Sequence, residues 1–406
     1  GRVNWKHFRQ INRKKTLEIN PNYRTFSRTN DKATLIDSGY EKSFVKGVHL
    51  LENNQVLSWS KDGTLRLWNL KDGSSKIFEG HTKGINGIHL LENNQALSDS
   101  ADGTLRLWNL KDGSSKVFEG HTKGINAIHL LENNQALSGS ADGTLRLWNL
   151  KDASSKVFKG HTGTIKGLHL LENNQALSWS REGTLLLWDL RNGLSKVFKG
   201  HTDDIKGVHL LENNQALSWS RDGTLRLWDF KGGWSKVFEG HEKGIKGVHL
   251  LKNNQALSWS DDGTLRLWEL KDGSSKVFEG HTDWISGVHL FENNQALSWS
   301  SDGTLRLWDL KDGSSKVFEG HTVGIKGVHL LENNQALSWS DDQTLCLWDL
   351  KIGMIAKYIC EGLKQSSGKY GSSIYYSRSN PVHLTSSQDR ILCFDNLGRL
   401  IILALK

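Results

Sequence analysis

Ser98, His81 and Asp102 are of the residue types that make a hydrolytic triad, and Trp108 follows close behind them. In such a set the histidine takes the serine proton and the acid holds the imidazole in place. The same four types return at His201, Ser218, Asp222 and Trp228, and in the stretches between. An active site needs one singular geometry, so a set copied at regular spacing reads as structural. A second histidine also recurs, at His49, His89, His129, His169, His209, His249, His289 and His329. One imidazole per copy cannot converge to the ~2.0–2.1 Å bonds of a single zinc, so packing or hydration is expected of them. Gly368-Lys369-Tyr370-Gly371 lacks the spacing of a phosphate loop. No catalytic set, metal or cofactor is expected, and the chain reads as a non-enzyme.

The elements that place these residues belong to a unit of 40 residues, His81 to Gly120, repeated from His121, His161, His201, His241, His281 and His321. Its apolar pattern has period two. Ile85, Ile88 and Leu90 mark a first strand, 95–98 a second, 104–108 a third and 115–118 a fourth. Asn93-Asn94, Asp102-Gly103 and Asp112-Gly113 accept the positive φ of tight turns. Each unit is thus a four-stranded meander, too small to bury its own faces, and stacking solves that problem.

Gly80-His81, then Asp-Gly-Thr-Leu-Arg-Leu-Trp, then Trp108-Asn109 or Trp188-Asp189 about 27 residues after the histidine, resembles the WD40 repeat. The resemblance runs from about Thr34 to the C-terminus and implies an all-β, closed β-propeller. It also implies that each Asp, His, Ser and Trp set is a buried hydrogen-bond tetrad, weaker where Glu182 replaces the aspartate and where Tyr40-Glu41 replaces Gly-His. Near-identical repeats that differ at a few face positions resemble the sensor propellers of NACHT- or STAND-type signalling proteins, in which repeats can be reshuffled.

Three cysteines at unrelated spacings suggest neither disulfides nor zinc, and a reducing, cytoplasmic setting is expected. No apolar run approaches a membrane span. The net charge of +8 is uneven: residues 1–30 hold eight bases against Glu18, which is +7 and leaves the other 376 residues near +1. Residues 1–31 read as a basic extension or linker, and only there could nucleic acid be held. Residues 32–406 read as one domain, with eight near-identical repeats over about 40–350 and a degenerate ninth over about 376–406. In that ninth unit Val382-His383-Leu384, 390–394 and 398–403 stand for strands one to three. Residues 32–39, an orphan fourth strand, would complete it and close a nine-bladed ring. The alternative is eight blades with the tail packed outside. A monomeric ring is expected, although near-identical blades also permit a swapped dimer.

Function is sought where the copies differ. After the second-strand serine stand Trp59, Asp99, Gly139, Trp179, Trp219, Trp259, Trp299 and Trp339, and two residues on Lys61, Ala101, Ala141, Arg181, Arg221, Asp261, Ser301 and Asp341. The loop before the first strand varies too, with Asp203-Asp204 and Asp283-Trp284. A position that accepts Trp, Asp or Gly is expected to face solvent rather than a close-packed core. Both loops should emerge on one end of the meander. There the six tryptophans, with the charged residues beside them, would form an aromatic crown that binds a protein partner. A scaffold that uses several surfaces is the alternative.

Overall fold

The computed structural model describes residues 45–51, 54–331, 333–342 and 344–360, and the backbone of four further strands, Phe8–Gln10, Ala33–Ile36, Arg390–Phe394 and Leu400–Ala404. Every regular element among them is a β-strand. No helix of the described residues is long and apolar enough to cross a membrane.

Eight antiparallel four-stranded sheets follow the repeats, here called blades 1 to 8. Blade 4 is typical: Ile165–Leu171, Gln175–Ser180, Thr184–Asp189 and Ser195–Lys199 lie side by side in chain order. The hairpin between its first two strands turns on Asn173 and Asn174, at φ 57° and 56°. A two-residue turn with both central residues left-handed matches the strand twist, and asparagine tolerates it. The last turn of each blade uses one left-handed residue, a glycine at Gly113, Gly193 and Gly273 but Ala153 at φ 67° in blade 3. A Cβ in that region costs roughly 1–2 kcal/mol, offset by the entropy that glycine loses on folding. Ala153→Gly is therefore expected to raise the midpoint of thermal unfolding slightly, whereas Gly193→Ala should lower it.

The described fold divides into two compact bodies. One is Asn86–Asp302 with Arg306–Lys316, and the other is Gly1–Ile85, Gly303–Leu305 and Val317–Lys406. In the first body consecutive blades share cores. Leu137, Leu145 and Phe158 of blade 3 pack with Ile165, Leu168 and Trp188 of blade 4, all buried. Full burial of such side chains contributes roughly 1.5–3 kcal/mol each. Side-chain bonds to main-chain carbonyls fasten the junctions from blade 3 to blade 7 at both edges. At one edge His129 Nε2–H donates to the Leu168 carbonyl at 3.0 Å, and His169 and His209 reach Val208 and Val248 in the same way, both at 2.8 Å. At the other edge Lys156 Nζ donates to the Arg191 carbonyl (2.7 Å) and Lys236 to that of Lys271 (2.8 Å). The second histidine is thus an inter-blade fastener.

In the other body Ala33–Ile36 pairs antiparallel with Leu400–Ala404, which pairs with Arg390–Phe394. Val382-His383-Leu384 and Tyr40-Glu41 lie outside the described residues. Phe8–Gln10, within the stretch read as an extension, adds a fifth strand to the edge of blade 8.

Candidate interaction site

The two variable loops of a repeat are joined by backbone. Arg181 N–H donates to the Thr164 carbonyl, Arg221 to Asp204, Asp261 to Gly244 and Ser301 to Trp284, at 2.9–3.0 Å. The turn after the second strand and the loop before the first therefore share one end of each blade.

The tryptophans do not stand out from that end. Trp179 is 8 % exposed, and Trp59, Trp219, Trp259, Trp299 and Trp339 are half-buried. Each faces a glycine across the first two strands: Gly47↔Trp59, Gly167↔Trp179, Gly207↔Trp219, Gly247↔Trp259, Gly287↔Trp299 and Gly327↔Trp339. The indole lies flat over that glycine, so a Cβ on Gly207 would stand 2.2 Å from Trp219 Cζ2. The rings of His169, His209 and His249 cover them further, with centroids 4.9–5.0 Å away. Where the tryptophan is missing, at Gly139, the opposing residue is Ala127. Asp99 is buried as well.

The expected solvent-facing crown is thus corrected. At Gly139 the cross-strand partner Ala127 takes up part of the missing volume, whereas Asp99 still faces a glycine, Gly87. Gly207→Ala should cost roughly 1–3 kcal/mol by overpacking, while Ala127→Gly should cost under about 1 kcal/mol. Urea unfolding of the two variants measures that asymmetry.

Charged residues at this end differ in burial and in pairing. Asp204, read as a contact residue, is 5 % exposed and lies 2.7 Å from Lys206 Nζ and 3.6 Å from Lys166 Nζ of the preceding blade. Lys246 lies 3.0 Å from Asp261 and stacks on the Trp284 ring at 5.6 Å. Arg221 reaches Asp203 at 3.8 Å. Arg181, Arg221, Asp283 and Trp284 remain exposed, Trp284 by 48 %. In the second body Lys61 and Asp341 are exposed, and Asp341 pairs with Lys326 at 2.7 Å.

The tetrads are internal. His201 Nδ1–H donates to Asp222 at 2.9 Å, and Ser218 Oγ lies 2.7 Å from His201 Nε2 and accepts Trp228 Nε1–H at 2.8 Å. Ser218 is fully buried. Trp108 bonds Ser98 in the same way, and Asp102 accepts Thr104 N–H at 2.9 Å. Burial pushes the His121, His161 and His201 pKa values down, against the pull of their acids. Burial alone would raise Asp142, yet hydrogen bonds from Thr144, Thr122 and His121 outweigh it and hold its carboxyl at about 2.

In blade 4, Glu182 loads His161 Nδ1, Thr162 N–H and the Thr184 hydroxyl onto one oxygen. Its other oxygen is buried with no hydrogen-bond partner among the described residues. Gly163 accommodates the longer acid, since a Cβ there would lie 2.3 Å from Glu182 Oε2. A related exchange marks blade 8. Arg146 in blade 3 donates to the Gly120 carbonyl (2.8 Å), and Cys346 takes that place in blade 8. There Lys357, opposite Cys346 across the strands, donates to Gly320 instead. Burial pushes the Cys346 thiol up to about 12.

Leu194 and Trp234, at the far turn of blades 4 and 5, are exposed by 70 % and 48 %. They stand where Ser114, Ser154 and Ser274 stand in sister repeats. Comparing that turn residue by residue would have singled them out.

Five stretches, 73–109, 113–149, 192–229, 233–269 and 273–309, match the family model described as "WD domain, G-beta repeat". Among solved structures the chain is similar to the computationally designed Ika8 protein, at 25 % identity over 77 % of this chain and 98 % of that one, with a TM-score of 0.57. It is also similar to the WD40 beta propeller domain of Doa1, at 22 % identity over 71 % and 97 % of the two chains and a TM-score of 0.44. No curated protein matches the chain.

Proposed function

We propose that this chain of WD40 repeats is a non-catalytic recognition module that binds a protein partner through the end of the blades carrying the two joined variable loops. WD40 repeats are generally protein-interaction scaffolds. The observation that carries the reading is the exposed set Arg181, Arg221, Asp283 and Trp284, set on scaffolds otherwise nearly identical from blade to blade. Tryptophan and arginine are the types that most often dominate interface energy.

The wider setting belongs to the same proposal. The module is the sensor portion of a larger cytoplasmic signalling protein. It forms a ring of nine blades, with residues 32–39 completing the degenerate last one. The pairing of Ala33–Ile36 with Leu400–Ala404 supports that closure.

The test exchanges each exposed residue for one that a sister repeat carries: Arg181→Ala, Arg221→Ala, Asp283→Lys and Trp284→Gly. The fourfold variant should stay folded by circular dichroism and lose its native partner in affinity capture. Undiminished capture would reject this end of the blades as the interface.

A further inference from the structure

The opposite rim of the first body carries a second surface. The fourth strands are sheet edges, each bonded on one side only in blades 2 to 6. In four of the eight repeats the eleven residues around this strand are neutral: in 110–120, Lys111 and Lys116 balance Asp112 and Glu119. Residues 270–280 repeat that sequence without change. In blade 3, Lys159 replaces the glutamate, leaving three lysines against Asp152, a net +2. In blade 4, Asn192 replaces the aspartate and Lys199 the glutamate, so residues 190–200 hold Arg191, Lys196 and Lys199 and no acid, a net +3, with Arg191 paired to Asp189 just before them at 3.2 Å. Blade 5 has lost its aspartate to Gly232 and holds two lysines against Glu239, a net +1. Residues 350–360 of blade 8, in the other body, carry Lys351 and Lys357 and no acid. Within the first body the positive excess is confined to three consecutive blades. Bonds from Lys156 to the Arg191 carbonyl (2.7 Å) and from Lys196 to that of Phe230 (3.2 Å) keep their rims side by side.

Leu194, Trp234 and Val197 are exposed apolar side chains in the same sector, the last on the outer side of Ser195–Lys199. The matching valine or isoleucine is also exposed in other blades, as at Ile77 and Val317, but Leu194 and Trp234 stand where sister repeats carry serine. Lysine on an open edge also guards against unwanted pairing. A guard does not require the acids to disappear, nor a leucine and a tryptophan to be exposed beside it. An edge of this kind accepts a strand in this chain, since Phe8–Gln10 pairs antiparallel with Gly353–Cys360, the fourth strand of blade 8.

We propose that the free edge of Ser195–Lys199 docks an extended acidic segment of a partner protein as a fifth strand. Its backbone completes the open ladder. Its carboxylates face Lys159 and Lys199, and its apolar side chains cover Leu194, Val197 and Trp234.

The probe is the eight-residue peptide Glu-Thr-Val-Thr-Glu-Thr-Val-Thr, which as a strand presents glutamate and valine on one face, as Lys199 and Val197 share a face, titrated into the full chain by calorimetry. Micromolar binding is expected, weakening with salt and slowing hydrogen exchange of the 195–199 amides. Lys159→Glu with Lys199→Glu, and separately Leu194→Ser with Trp234→Ser, should each weaken it at least tenfold. All four substitutions install sister-repeat residues, which keeps the fold. Arg181→Ala with Trp284→Gly should leave it unchanged, so this surface and the loop end fail or survive separately. Three results would overturn the proposal: unchanged affinity in both pairs of variants, equal binding of a probe with proline in place of valine, or no peptide binding at all. The last includes the case in which phosphatidylserine vesicles, or a second copy of the chain, occupy the patch instead.

Discussion

Trp228→Ala is expected to remove about 4 kcal/mol of stability, the range for deleting a large buried aromatic. Trp228 is buried among Leu177, Leu185 and Phe198 of the preceding blade and Ile205 and Val208 of its own. Its loss opens a cavity across a blade junction and also strips Ser218 Oγ of the indole donor. An unmade buried hydrogen bond adds roughly 1–3 kcal/mol. Trp228→Phe separates the two contributions, since it keeps most of the packing and loses only the bond. Trp234→Ala, on the exposed rim, should stay within about 0.5 kcal/mol. Denaturant unfolding followed by hydrogen exchange across blades 4 and 5 measures all three. Equal losses at 228 and 234 would refute the tetrad as a stabilising device.

Acidification should destabilise the fold well before ordinary carboxylates titrate. His121, His161 and His201 have side chains with no exposure, and their pKa values are lowered by burial. The unfolded chain takes up these protons as pH falls through about 6.5, while the folded chain does not. Stability from these groups is complete above that value and declines as pH drops toward their folded pKa values. The limiting slope is about 1.4 kcal/mol per pH unit for each histidine. A second window lies lower. Asp142 titrates at about 2 when folded, so its contribution is held above the unfolded value near 3.9 and lost below it. Thermal unfolding at pH 7.5, 6.5, 5.5 and 4.5 should show a falling midpoint from the second point onward. A midpoint that stays level down to pH 5 would show that the buried histidines are already charged.

Much of this architecture is legible in one repeat, because the forces that set it are local. Alternation in 104–108, the Asn-Asn turns and the left-handed glycines each act within a few residues, and the strands form where those patterns place them. The variable position was misjudged for the opposite reason. Ala127 and Gly139 lie in different strands, and their exchange of volume appears only once Ala127 is seen to pair with Gly139. Likewise Asp204 looks like a free acid until Lys166, from the preceding repeat, is found beside it. Glu182 was legible as an exception, whereas the allowance made for it at Gly163 was not. The exposed loop residues Arg181, Arg221 and Trp284 lie at the end where internal comparison put them.

The fasteners between blades have a consequence for how such a chain can lengthen. The lysine and histidine bonds that cross the junctions from blade 3 to blade 7 end on main-chain carbonyls, which every neighbour offers whatever its side chains. The idiosyncratic exchanges of volume and length, Ala127 with Gly139, Glu182 with Gly163 and Cys346 with Lys357, each stay inside about one unit's length, whereas charged contacts such as Lys166 with Asp204 cross between units. Duplicating or excising a whole unit would therefore create no seam lacking an acceptor, and would separate no residue from the one that makes room for it. Copy number is free to drift in steps of forty, whereas a cut made mid-unit would part those couples.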